Sequence, residues 1–171
     1  MQKTLALMFT MLLATTLATL VLAAPAVAST ATYRFDLIGP QTAEDSSTND
    51  NIAMTGSGSF DPSANNVVAS GNFAIFSASG SELSAGKWEA TKFLSFDAFG
   101  GLNSGEQGGV LDITVTLFPA GGSPITNVSL KVTCLINAPK GFTGKEGVTV
   151  SGAVGSFTDS ARGRTLFHLN Q

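Results

Sequence analysis

The sequence predicts an all-β domain of about eight mainly antiparallel strands, arranged as a sandwich or a closed barrel and preceded by a cleaved signal peptide. Short runs of alternating apolar and polar residues recur along the chain, and no helical periodicity follows Ala28. Clusters of Gly, Pro, Asn and Asp, the residues that turn a chain, separate those runs. No helical stretch is available as a crossover between parallel strands, so neighbouring strands are expected to pair as hairpins.

The leader comes first. Lys3 gives a small positive start, Thr4 to Ala24 carries no charge, and Pro25 breaks the run before Ala26-Val27-Ala28. That order of charged, apolar and small residues is what signal peptidase reads, so residues 1–28 are assigned to the signal peptide and 29–171 to a single all-β domain. An uncleaved anchor is the competing reading, because the uncharged run is just long enough to span a bilayer. Pro25 and the small residues before Ser29 favour cleavage. No later stretch is apolar enough to span, so the cleaved protein is not expected to be an integral membrane protein. One Tyr and one Trp cannot supply the aromatic girdles of a transmembrane barrel. The expected location is outside the cytoplasm, periplasmic or extracellular.

Tyr33, Phe35 and Leu37 alternate with Arg34 and Asp36 as a first strand. Gly39 to Asn51 reads as a polar loop, and a Gly/Ser-rich strand follows from Ile52 to Phe60. Asp61-Pro62-Ser63-Ala64-Asn65-Asn66 is a turn, since Pro presets its dihedral and Asx side chains bond locally. Val67, Ala69, Gly71, Phe73 and Ile75 share one face of the return strand. Lys87 to Phe99 is a long strand whose parity breaks at Lys92 and Phe93, which a β-bulge would repair. Leu111, Ile113, Val115 and Leu117 pair across Pro119–Pro124 with Val128, Leu130, Val132, Cys134 and Ile136. Val148–Val154 and Arg164–Leu169 complete the set.

Composition narrows the function. The net charge is −3, and the basic residues are scattered, which argues against nucleic acid. Charged residues make up 12% of the chain, about half the usual ~25%. Such a surface repels its copies weakly, so a homo-oligomer formed through sheet edges is a possible state. Cys134 is the only cysteine, so no internal disulfide forms, and with a single His it excludes a Cys/His zinc site within one chain. Twelve Phe residues are available for a core.

No catalytic set emerges. His168 lacks an orienting carboxylate and a nucleophile in its neighbourhood of sequence, and no Gly-x-Ser-x-Gly elbow exists. Glu82, Glu89, Asp97, Glu106, Asp112 and Glu146 offer carboxylates, but sequence shows no glycosidase spacing among them. Trp88 and Glu89 are the candidate ligand-binding residues, because a Trp flanked by Lys87 and a carboxylate suits a sugar ring and its hydroxyls; burial as a core residue is the competing role. Asp45, Asn49 and Asp50 form a weak calcium candidate, since the loop is rich in oxygen ligands but lacks the spacing of an EF-hand. Cys134 falls on the apolar face of its strand as inert packing. Asn127-Val128-Ser129 matches a glycosylation sequon. Gly100 to Gly109 is expected to be a mobile connection, forming with 137–147 the rim of any ligand mouth. No cofactor is indicated.

The leading functional expectation is an exported, non-enzymatic surface or extracellular module that binds or assembles through its sheet. A small β-barrel carrying an apolar small molecule is second, and a carboxylate-based hydrolase or isomerase is third. The partner expected is a small molecule, glycan or protein.

Overall fold

The computed structural model describes residues 31–170, and the signal-peptide assignment therefore lies outside the described residues. Among the described residues nine strands form one sheet: β1 (Thr32–Glu44), β2 (Asn51–Asp61), β3 (Asn66–Phe76), β4 (Glu82–Gly101), β5 (Glu106–Pro119), β6 (Ile125–Cys134), β7 (Gly147–Gly152), β8 (Gly155–Phe157) and β9 (Asp159–Asn170). Every pairing is antiparallel, as the alternating runs and tight turns require. Among the described residues no helix is long and apolar enough to cross a membrane.

The chain meanders from β1 to β8, and β9 then returns to lie beside β1 along nearly its whole length. β9 also meets the start of β5, with Glu106 opposite His168 and Gln107 opposite Phe167. The pairings β1–β2–β3–β4–β5–β9–β1 thus run in a circuit, from which β6, β7 and β8 branch off β5. A carboxylate bridges the gap between that branch and β9. Glu146 accepts from the backbone N–H of Leu135 (2.6 Å) and, through its other oxygen, from the N–H and hydroxyl of Thr165 (both 2.8 Å). Strand-to-strand bonds are missing there, and the side chain takes their place.

The inward faces enclose one core. Phe60 is its hub, with ring centroids 5.2 Å from Tyr33, 6.0 Å from Phe93 and from Phe167, and 4.8 Å from Phe96. Leu111, Ile113 and Val115 of β5 are fully buried opposite Val132, Leu130 and Val128 of β6, and Leu117 is fully buried opposite Ile125, in the parity the sequence implies. Full burial of each such side chain is worth about 1.5–3 kcal/mol.

Two expected connections are strand instead. Gly39 to Glu44 continues β1 through a register shift between Leu37 and Gln41, burying Gln41 and Ala43. The buried Gln41 amide donates to the carbonyls of Ile38, Gly39 and Arg164, holding the irregular backbone that a polar sequence suggests is a loop. Glu106 to Gly109 likewise belongs to β5, because β4 and β9 flank it. The expected Val148–Val154 strand is a hairpin, β7 and β8, folded at Ala153-Val154. The bulge expected near Lys92 is present, as register shifts between Ala90 and Lys92 and between Phe93 and Ser95.

Candidate functional site

The outer faces of β3, β4 and β5 carry polar side chains in two rows across the sheet. In one row Asn72 stands opposite Lys87 and Lys87 opposite Phe118; in the next Ser57, Ser70, Glu89 and Thr116 follow one another across four strands. Strand alternation places them outward, because Phe73 and Trp88, their neighbours in sequence, point into the core. Shallow depressions overlap along these rows. They run from Glu82 and the Pro119–Gly122 turn, past Phe118, Lys87 and Asn72, to Ser70, Glu89, Val68 and Ser57. The stretch beside Phe118 is the most apolar, with a volume of ≈ 550 Å³ lined also by Ala85, Gly86 and Ala120. At ~3.3 Å per strand residue the trough from Glu82 to Ala90 is roughly 25 Å long.

The exposed side chains of the trough are not tied up internally. Among the described residues, Ser57, Ser70, Asn72, Lys87 and Glu89 make no hydrogen bond through their side chains, and Lys87 and Glu89 form no ion pair. Phe118 is 39% exposed and Val68 68%.

Trp88 and Glu89 lie on opposite faces of β4 and so do not form a common site. Trp88 is fully buried, and its indole N–H donates to the Thr55 carbonyl at 2.9 Å. The ring fits over Gly56 and Gly71, where a Cβ would fall 2.5 Å from Trp88 Cζ2 and 2.6 Å from its Nε1 respectively. Two glycines side by side thus leave the room that the indole occupies. Glu89 alone belongs to the trough.

Asp45, Asn49 and Asp50 do not converge on a cation. Asp45 turns inward, accepting from the N–H and hydroxyl of Ser47 (2.9 and 2.6 Å) and from the Ser156 N–H (3.0 Å). These bonds, the Ser47 hydroxyl foremost, lower its pKa from 3.8 to about 2. Asp50 accepts instead from the Ala78 N–H in the next hairpin, while Asn49 takes the positive φ (58°) of the turn. No group of three potential metal-ligating side chains is present among the described residues.

The remaining candidates are structural in their contacts. Cys134 is buried, and burial foremost, with the charge of Glu146 adding to it, raises its thiol pKa above the ordinary value. Asp112 is bonded to Lys131 (2.8 Å), Glu106 to the Ser104 hydroxyl (3.1 Å), and Glu146 bridges strands as described. His168 is half-buried opposite Glu106 and Arg34 in neighbouring strands. Sequence alone misses the trough because Asn72, Lys87 and Phe118 become neighbours only through strand register. The signal available was their common outward parity.

Comparisons of the chain with protein families, with curated proteins and with solved structures return no match.

Proposed function

We propose that the chain is an exported, non-enzymatic binding module, a closed barrel that engages its partner from the outer surface and not from its interior. The observation that carries this reading is the contrast between the two sides of the sheet. The interior is occupied by the Phe60-centred ring cluster and by Trp88, whose only polar atom is satisfied. The outward rows of β3, β4 and β5 instead present hydrogen-bonding groups with no protein partner beside a half-exposed Phe118. A carrier of apolar molecules needs empty apolar space inside, and an enzyme needs converging groups poised for proton transfer. The circuit of pairings supports the barrel, because a sheet whose first strand pairs with its last has few free edges. Export rests on the Lys3, Thr4–Ala24 and Ala26–Ala28 pattern.

Native mass spectrometry of the protein recovered from its own host tests the reading. The expected result is the bare polypeptide beginning at Ser29. A mass excess lost on denaturation would identify a carried molecule and overturn the surface mode of action, and an intact leader would overturn the export assignment.

A further inference from the structure

We infer that the outer trough of β3, β4 and β5 binds a linear, uncharged polysaccharide, an assignment that rests on reading the domain as a surface binding module. The shape comes first. An open run of shallow depressions, roughly 25 Å along β4, suits an extended chain, whereas compact ligands are enclosed by deeper clefts. The floor then selects the kind of chain. Along the trough the backbones of β3, β4 and β5 are already paired, Ser70–Phe76 with Glu82–Glu89 and Gly86–Ala90 with Val115–Pro119. An extended peptide that adds to a sheet requires a free backbone edge, which the floor does not provide.

Side chains are what the trough offers, and they match hydroxyl groups. Lys87 donates, Glu89 accepts, and Asn72, Ser70 and Ser57 do both, so a hydroxyl that also donates and accepts can bond to each of them. The charges select against polyelectrolytes. Lys87 and Glu89 stand two residues apart on the same face of β4 with opposite signs, and Glu82 lies at the far end, beside the Pro119–Gly122 turn. A polyanion would meet Glu89 and a polycation Lys87, whereas an uncharged chain meets neither penalty. Phe118 supplies the remaining element: a ring 39% exposed at the edge of the apolar stretch, able to lie against the C–H face of a sugar.

The test uses the protein recovered from its host and two neutral linear polymers, amorphous cellulose and chitin, with protein left in solution measured after sedimentation. Retention on at least one polymer is expected, and it should persist at about 0.5 M NaCl, where exposed charge pairing is screened. Phe118→Ala and Lys87→Ala should each weaken retention about tenfold, the effect of losing one aromatic contact or one charge-assisted hydrogen bond. Ile38→Ser, on exposed β1 surface away from the trough, should leave it unchanged. Circular dichroism on each variant establishes that the fold is intact. Failure of the folded wild type to bind either polymer, equal retention of Phe118→Ala, or binding confined to a polyuronate and released by salt would each overturn the assignment. With a bare native mass, those results remove only the glycan. A molecule carried inside the protein would remove the surface reading itself.

Discussion

Replacing Gly71 with alanine puts a single methyl group where the structure has no room for it. The new Cβ would sit 1.8 Å from the Thr55 carbonyl oxygen, 2.6 Å from Trp88 Nε1 and 2.7 Å from Gly56 Cα. Two of these neighbours are backbone, so β2 and β3 must separate or the indole must leave its slot. Overpacking of this kind costs about 1–3 kcal/mol. Displacing the ring also breaks the Trp88–Thr55 hydrogen bond, and a buried donor left unsatisfied costs about 1–3 kcal/mol more. The expected total of about 2–6 kcal/mol is a large share of the ~5–15 kcal/mol that holds a domain together. It corresponds to a fall in Tm of about 10 °C. Trp88 is the only tryptophan, so its emission during urea unfolding reports on the perturbed site itself. Gly121→Ala is the matched control, because nothing lies within 4 Å of its Cβ position, and it should stay within about 0.5 kcal/mol of wild type. If Gly71→Ala unfolds at the wild-type urea midpoint with unshifted emission, the indole does not occupy the glycine slot.

Other perturbations separate the remaining contacts. Glu146→Ala strips acceptors from the Leu135 and Thr165 N–H groups and should cost about 2–4 kcal/mol in chemical denaturation, with Glu146→Gln, which keeps one acceptor oxygen, falling between. An equally stable alanine variant would remove the strand-bridging role. The folded pKa of Asp45 is lowered to about 2 from 3.8, so its stabilisation is complete above about pH 4 and is lost as pH falls toward 2. Asp45→Asn should therefore flatten the acid limb of the stability–pH curve, and a limb as steep as wild type would contradict the bonding described. Cys134 should resist a thiol reagent at pH 8 in the folded protein and react at once in urea, since burial both covers it and raises its pKa. Rapid labelling of the native state would place it at the surface.

Strand positions were largely legible because the core obeys simple alternation. Leu111 to Leu117 and Val128 to Cys134 bury the residues their pattern selects, and the break at Lys92 marks a real bulge. Legibility failed where a polar residue does an apolar residue's work. Gln41 is buried to bond three carbonyls, so Gly39–Glu44 resembles a loop in sequence while continuing β1 in structure. The return of β9 onto β1 was invisible as well, because long-range register leaves no local trace. The same limit hid the trough. Trp88 and Glu89 attract notice as adjacent residues, yet adjacency on a strand sends them to opposite faces, and Glu89 finds its companions on other strands.

The position of β9 has a consequence for timing. Because this late segment pairs with β1 along most of its length and meets β5 on its other side, β1 keeps a bare edge until Asp159–Asn170 is delivered. A chain emerging N-terminus first can form the hairpins of β1 to β8 as they appear, but the contacts uniting both ends of the sheet must wait. Folding is then governed by the slowest, most distant pairing, and the nascent chain stays open until β9 has been made. On the export reading proposed above, such a delay would keep the polypeptide threadable for as long as threading lasts.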